Sequence, residues 1–216
     1  MTNSSAPTMS LDAMLAAARS MDERALRGAL MEHAEELGVE TVVTDVVLPF
    51  LHAVGLAWER GEQSVATEHF ASQIVRSWLS GDALVGLPHA RYDRSPLVLA
   101  CPPGERHDLG LLCFHVLLIR NGVPSRFLGS DTPLPGLAEV CRLVGACGVV
   151  VAATRRRVFE AHGGALRVLA RSYPLAVGGA GADADIAELV HATALPPDMR
   201  ISVQQAVTWY AGVTAA

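Results

Sequence analysis

Lysine is absent: all 17 basic side chains are arginine. Against 22 acidic residues they leave a net charge of −5 and an isoelectric point of about 5.9. That balance argues against direct nucleic-acid binding, which normally shows as a basic face. The missing lysine reads as a coding bias. Aromatic residues are scarce, at 5%, while half of the residues are hydrophobic and mean hydropathy is +0.30. A sizeable core must therefore be filled by Leu, Val and Ala. The four cysteines, Cys101, Cys113, Cys141 and Cys147, contain no C-x-x-C pair. They fall in apolar strand or helix patterns, where cysteine acts as a small hydrophobe. A zinc or disulfide framework is not expected, and a reducing cytoplasm fits. The N-terminal stretch through Thr8 lacks the basic start and apolar stretch of a signal peptide. No apolar run reads as long enough to span a membrane, so no membrane role is expected.

A chain of 216 residues holds one large or two small domains. Residues 1–9 read as a disordered tail. Ser10 then caps a helix from Leu11 to Ser20, and Asp22 starts a second, with Leu26, Leu30 and His33 on one stripe, that stops at Gly38. The run from Val39 to Arg60 is nearly continuous in apolar residues, and Pro49 is expected to kink or divide it. Gly61 ends it, and Ser64 caps a fourth helix through Ser80. Four helices with short connections over 10–80 imply a small bundle. Residues 81–96, with Gly81, Gly86, Pro88 and Pro96, lack periodicity and read as a linker.

From residue 97 onward the pattern changes. Strands are expected at 97–101, 125–129, 148–154 and 174–178, with a short fifth near 193–195. Helices are expected at 108–121, 134–145, 157–171, 183–191 and 202–212. Strands alternating with helices of that length imply a doubly wound parallel sheet, Rossmann-like or flavodoxin-like, over 97–216. The fold class is thus a four-helix bundle followed by an α/β domain.

One loop of the second domain carries metal-binding chemistry: Gly104-Glu105-Arg106-His107-Asp108-Leu109-Gly110. It lies between the first strand and the helix after it, where open α/β sheets bind ligands. A neutral imidazole suits a transition metal. A carboxylate two residues earlier can hold the other ring nitrogen and fix the tautomer, and glycines let backbone approach a large flat ring. The loop resembles the Asp-x-His-x-x-Gly signature of cobalamin-binding domains, with Glu105 in place of the family Asp and His107 and Gly110 matching. The resemblance implies that His107 binds cobalt from below, and that Glu105, Arg106, Asp108 and Gly110 belong to the cofactor site.

A second constellation lies upstream. Trp58 is followed after nine residues by Glu68-His69. Trp-x9-Glu-His resembles the bundle of CarH-type photoreceptors, which bind adenosylcobalamin and respond to light. The resemblance, running over roughly residues 10–190, implies that Trp58 covers the adenosyl group, that Glu68 and His69 contact the adenosine, and that Val65 adds a further contact. Leu128 to Pro135 is similar to that family's second strand and turn, and Gly178-Gly179 matches the pair beside the nucleotide tail. Gly179-x-Gly181-x-x-Ala184 looks like a dinucleotide fingerprint, but that motif belongs after the first strand of its unit.

Besides Glu105, the sequence departs from the family in three places. Ala152-Ala153-Thr154 replaces the usual Ser-x-Leu or Ser-x-Thr, so Thr154 is the candidate donor to the lower base pocket. Glu59 stands where many members have a histidine directly after the Trp. The nine residues before Ser10 are too few for the family's DNA-binding domain, and Arg155-Arg156-Arg157 reads as a solvated helix start. The expectation is a free-standing, cytoplasmic adenosylcobalamin light sensor, not an enzyme, that forms a homo-oligomer whose assembly changes with light and that has a regulatory protein as a possible partner. The competing expectation is a corrinoid methyl carrier or mutase cofactor component.

Overall fold

The computed structural model describes residues 9–85 and 94–215. The expected tail, apart from Met9, and the middle of the expected linker, with Gly86 and Pro88, lie outside the described residues. The chain divides between Val85 and Gly86 into two compact units.

The first unit is helical: α1 (Leu11–Arg19), α2 (Glu23–Leu37), α3 (Val39–Val42), a π-helical turn (Val43–Val47), α4 (Leu48–Glu59) and α5 (Val65–Ser80). Local chemistry starts these helices where the sequence indicates. The side chains of Ser10, Asp22 and Ser64 accept hydrogen bonds from the backbone N–H of Ala13, Ala25 and Thr67, respectively, filling donors that a helix start leaves open. Met14, Leu26, Leu30, Phe50, Trp78 and Leu79 are fully buried and form its interior.

The third segment is divided into α3 and α4 by the π turn just before Pro49, but helical backbone does not end there. Pro49 lies in the first turn of α4, directly after the π turn. Proline lacks an N–H and its ring crowds the carbonyl four residues back. A wider turn upstream moves that carbonyl away, and helix runs on from Val39 to Glu59. That 21-residue stretch is long and apolar enough to cross a membrane by length and composition, contrary to the sequence reading. Val42, Val43, Val47, Phe50 and Val54 are buried within the unit.

The second unit contains β1 (Leu97–Ala100), α6 (Leu109–Arg120), β2 (Ser125–Gly129), α7 (Leu134–Val144), β3 (Gly148–Ala152), α8 (Arg156–Ala170), β4 (Leu175–Gly178), α9 (Ala184–Val190), β5 (Thr193–Ala194) and α10 (Met199–Ala215). All strand pairs are parallel, in the order β2-β1-β3-β4-β5. Val98, Val149, Val151 and Val177 pack with Leu137, Phe159, Leu166 and Ile186. The alternate residues, Leu97, Leu99, Val150 and Ala176, are equally buried. Strands covered on both faces read as unbroken apolar runs, which explains why they were legible. The order places the switch of winding direction between β1 and β3, where such sheets open a crevice at the carboxyl ends of the strands.

Two elements of this unit, β3 and α10, differ from expectation by more than one residue. β3 ends at Ala152 and not at 154, because Ala153 and Thr154 turn out of the ladder into the site. α10 starts three residues earlier than 202, at Met199, where the side chain of Asp198 accepts from the Ile201 N–H. Cys101, Cys113 and Cys141 are buried and all four thiols are free, as expected of small hydrophobes.

Candidate functional site

The loop after β1 is folded back by its own turn and clamped from β2. Gly104 takes φ +83°, a region open to glycine, and the Glu105 N–H donates to the Pro102 carbonyl. Asp131, in the turn after β2, accepts from the Gly104 N–H at 2.8 Å through its carboxylate. Its own N–H donates to the Glu105 carbonyl at 2.9 Å. Next to it, the Thr132 N–H donates to the Cys101 carbonyl. Asp131 therefore fixes both ends of the Gly104-Glu105 peptide pair, a role the sequence did not disclose.

Glu105 is the centre of this arrangement. Its side chain is 2% exposed, and its two oxygens accept four hydrogen bonds. Oε1 takes the His107 N–H at 2.8 Å and the His107 ring Nδ1 at 2.7 Å. Oε2 takes the Thr154 N–H and hydroxyl, each at 2.7 Å. Burial pushes this carboxyl's pKa upward, but the bonds it accepts outweigh that and the net shift is downward. A carboxylate so held keeps Nδ1 protonated and leaves the lone pair on Nε2. The His107 side chain is 59% exposed, and Nε2 has no partner among the described residues. One imidazole with a fixed tautomer and a free Nε2 fits a single axial ligand to a metal whose other positions are filled elsewhere. Among the described residues no group of three or more His, Cys, Asp or Glu could hold a bare ion.

The other expected residues divide. Gly110, Gly178 and Gly179 line one cavity of about 80 Å³ with Ala152, Phe114 and Leu195. Ala152 thus brings no hydroxyl to that groove. Thr154 gives its hydroxyl to Glu105 and not to a base pocket. Gly179 is required for backbone reasons: at φ +85° its Cβ would lie 2.6 Å from the Ala153 carbonyl oxygen. Asp108 is buried, so close to Gly129 that a Cβ there would sit 3.3 Å from its Oδ2. Arg106 is exposed and lines a second opening together with Glu105 and His107. A Cβ at Gly181 would lie 2.4 Å from the Arg155 carbonyl carbon, so these glycines serve the β3–α8 junction, as rejecting a dinucleotide motif requires.

In the helical unit Trp58 is 44% exposed in the last turn of α4, and Val65, at the first position of α5, is also exposed. Large apolar side chains left in solvent at adjoining helix ends suit a ligand face. Glu68 accepts from the Ser72 hydroxyl at 2.7 Å, and its other oxygen lies 3.6 Å from the ring of the exposed His69. The Gln63 amide donates to the Val54 carbonyl at 2.6 Å, bracing the α4–α5 connection.

A parallel sheet with an exposed histidine of fixed tautomer in the loop at its switch point is an arrangement that suits a corrinoid-binding class of protein. The family model of the B12 binding domain matches residues 10–80. The HTH-type transcriptional repressor CarH of Myxococcus xanthus is 33% identical over 181 residues, 79% of this chain and 58% of that protein. The repressor CarA of the same organism is 33% identical over 151 residues, 68% of this chain and 49% of CarA. The chain spans about half the length of these relatives. In fold it is similar to the monomethylamine corrinoid protein of Methanosarcina barkeri, with a TM-score of 0.72 at 15% identity over 91% of this chain and 96% of that one. Residues 10–80 belong to the B12 binding domain family, and the cofactor that this supports is a cobalamin.

Proposed function

We propose that the protein is an adenosylcobalamin-dependent light sensor. The observation that carries the reading is the Glu105-locked His107 in the sheet unit, in a chain that also carries Trp58, Glu68 and His69 in its helical unit and is 33% identical to CarH over 181 residues. Bound adenosylcobalamin supplies a cobalt–carbon bond that light cleaves. His107 would hold the cobalt through Nε2, with Glu105 fixing its tautomer. Trp58 and Val65 would supply apolar contact to the adenosyl group, and Glu68 and His69 would offer hydrogen bonds to its ribose and base. Arg106, Asp108 and Gly110 complete the loop, and Gly178 and Gly179 border the groove for the nucleotide tail. Trp58, Val65, Glu68 and His69 would make contacts that depend on the adenosyl group, so the helical unit would favour different arrangements with and without it. The output is a change in homo-oligomeric assembly or in the hold on a regulatory protein partner, in the cytoplasm, without direct contact to nucleic acid or membrane and without catalysis.

One residue favours a second reading. Glu59 replaces the histidine expected after Trp58, and a corrinoid methyl carrier or mutase component would not need it. Reconstitution with adenosyl-, methyl- and hydroxocobalamin separates the two, followed by spectra and size-exclusion traces in darkness and after green light. A light sensor prefers the adenosyl form and changes both spectrum and size on illumination. Preference for methylcobalamin, with coincident traces, would replace this reading with the carrier. Failure to bind any of the three would remove both.

A further inference from the structure

We infer that Arg156 is a positioning residue for the nucleotide tail of the cofactor, an assignment that rests on the proposed reading of the glycine-lined groove as the tail's place. Arg156 does not line that groove. It ties the turn after β4 to the turn after β3, and so fixes the Gly178-Gly179 wall. Arg156 is the first residue of α8. Its guanidinium pairs with the Asp183 carboxylate, with Glu160 at 3.0 Å and with Asp185 at 3.6 Å. Asp183 divides its oxygens between two tasks. Oδ1 accepts from the Ile186 N–H at 2.8 Å and starts α9, while Oδ2 takes the arginine. One cation thus holds the starts of α8 and α9 together.

The segment between β4 and Asp183 needs such a tie. It reads Gly179-Ala180-Gly181-Ala182, and it lies directly on the turn after β3. The Gly181 N–H donates to the Ala153 carbonyl at 2.9 Å, and the Ala182 N–H to the Gly179 carbonyl at 3.0 Å. That close approach excludes side chains at Gly179 and Gly181, where a Cβ would lie 2.6 Å from the Ala153 oxygen and 2.4 Å from the Arg155 carbonyl carbon. Glycine also loses the most conformational freedom on ordering, and no long side chain from within the segment can anchor it. Its two ends must do so. At one end Gly178 pairs with Ala152 in the sheet. At the other end Asp183 is held by Arg156. Gly178 and Gly179 lie toward the first end and line the groove with Ala152. A wall ordered before the ligand arrives spares the ligand the cost of ordering it. Arg156 and Asp183 are each about half exposed, so their share is modest and falls with salt.

The test compares binding of adenosylcobalamin to the full chain, in darkness, with binding of adenosylcobinamide, the same corrin without the nucleotide tail. Arg156→Gln, Asp183→Asn and the double variant are measured beside wild type. Asparagine at 183 keeps an oxygen to start α9 and loses only the charge. Each single variant should bind adenosylcobalamin about fivefold more weakly, the upper end of what a partly exposed ion pair contributes. The double variant should be no weaker than either single one, because both break the same contact. Adenosylcobinamide affinity should stay at the wild-type value in all three, which also reports correct folding. Salt at about 1 M should close the gap between wild type and variants. Wild-type cobalamin affinity in Arg156→Gln, or an equal loss for both ligands, would overturn the inference. So would a loss in Arg156→Gln with none in Asp183→Asn, which would assign the arginine to direct contact with the tail's phosphodiester. Equal affinity of wild type for the two corrinoids, or binding of neither, would remove the reading of the groove itself, and the inference with it.

Discussion

Replacing Glu105 with Gln is the sharpest perturbation of the lower ligand. The carboxylate accepts four hydrogen bonds, two on each oxygen. Glutamine retains one oxygen and puts an NH2 in place of the other. If its oxygen faces His107, the NH2 meets the Thr154 N–H. The Thr154 hydroxyl can rotate and accept, but its N–H cannot. One buried donor is then unsatisfied, at a cost of about 1–3 kcal/mol. If its oxygen faces Thr154, the NH2 meets the His107 N–H and can be accommodated by the ring only if Nδ1 becomes an acceptor. The proton then moves to Nε2, which loses the lone pair that a metal needs. Either arrangement weakens the site, and changes to such supporting groups typically cost about 10–100-fold in metal affinity. Thermal unfolding of the cofactor-free protein measures the first cost, and cobalamin titration with the visible spectrum measures the second. Wild-type melting together with wild-type affinity in Glu105→Gln would refute this account. The depressed pKa adds a signature. A carboxyl lowered on folding stabilises the protein above its unfolded value near 4.5, and that stability is lost as pH falls through the folded value. Glu105→Gln should lack this part of the acid transition.

His107→Ala should weaken cobalamin binding and shift the dark spectrum toward the base-off form; an unchanged spectrum would exclude His107 as the ligand. Trp58→Ala removes an exposed side chain, so stability should move by less than about 0.5 kcal/mol, while the light-dependent change in elution volume should shrink. His115 is pushed down to about 4, first by burial and then by Arg126. Its neutral ring thus stabilises the fold fully above pH 6.5 and loses about 3 kcal/mol as pH falls to 4, of which about 2 kcal/mol is gone by pH 5; urea unfolding at pH 7 and 5 should show that loss in wild type and not in His115→Gln. With Glu59 after Trp58, the illuminated protein should exchange added imidazole or cyanide readily, and Glu59→His should slow that exchange; slow exchange in wild type would mean that another side chain closes the upper face.

The fold was legible because its signals are local. Caps at Ser10, Asp22 and Ser64 and buried runs such as Leu97–Ala100 and Val149–Val151 fix elements from neighbours a few residues away. The outcome at Pro49 depends on the turn before it: a π turn divides the segment yet lets helical backbone continue past a residue that breaks a regular helix. That continuation leaves 39–59 as one apolar helical stretch. β3 was drawn two residues too long because Ala153 and Thr154 are apolar or β-branched, as strand residues are. What takes them out of the sheet is distant: Glu105 captures Thr154, and the Gly181 N–H captures the Ala153 carbonyl.

The same distinction separates the readable and unreadable halves of the site. Glu105-x-His107 is a short-range pair, and its consequence for the imidazole follows from spacing alone. The remaining members, Thr154 after β3 and Asp131 after β2, reach the loop only because the strand order places β1 between β2 and β3. Neither residue has a helix or strand periodicity that would mark it. Glu105 and Thr154 also explain each other. The family has a shorter acid at 105 and a serine at 152; here Ala152 lines the groove without a hydroxyl, and the longer acid is bonded to a hydroxyl two residues further along. Two departures that each weakened the sequence argument therefore form one connected unit. Its four hydrogen bonds hold the carboxylate against His107, and that constraint, rather than the histidine alone, is what would make the loop a preorganised ligand.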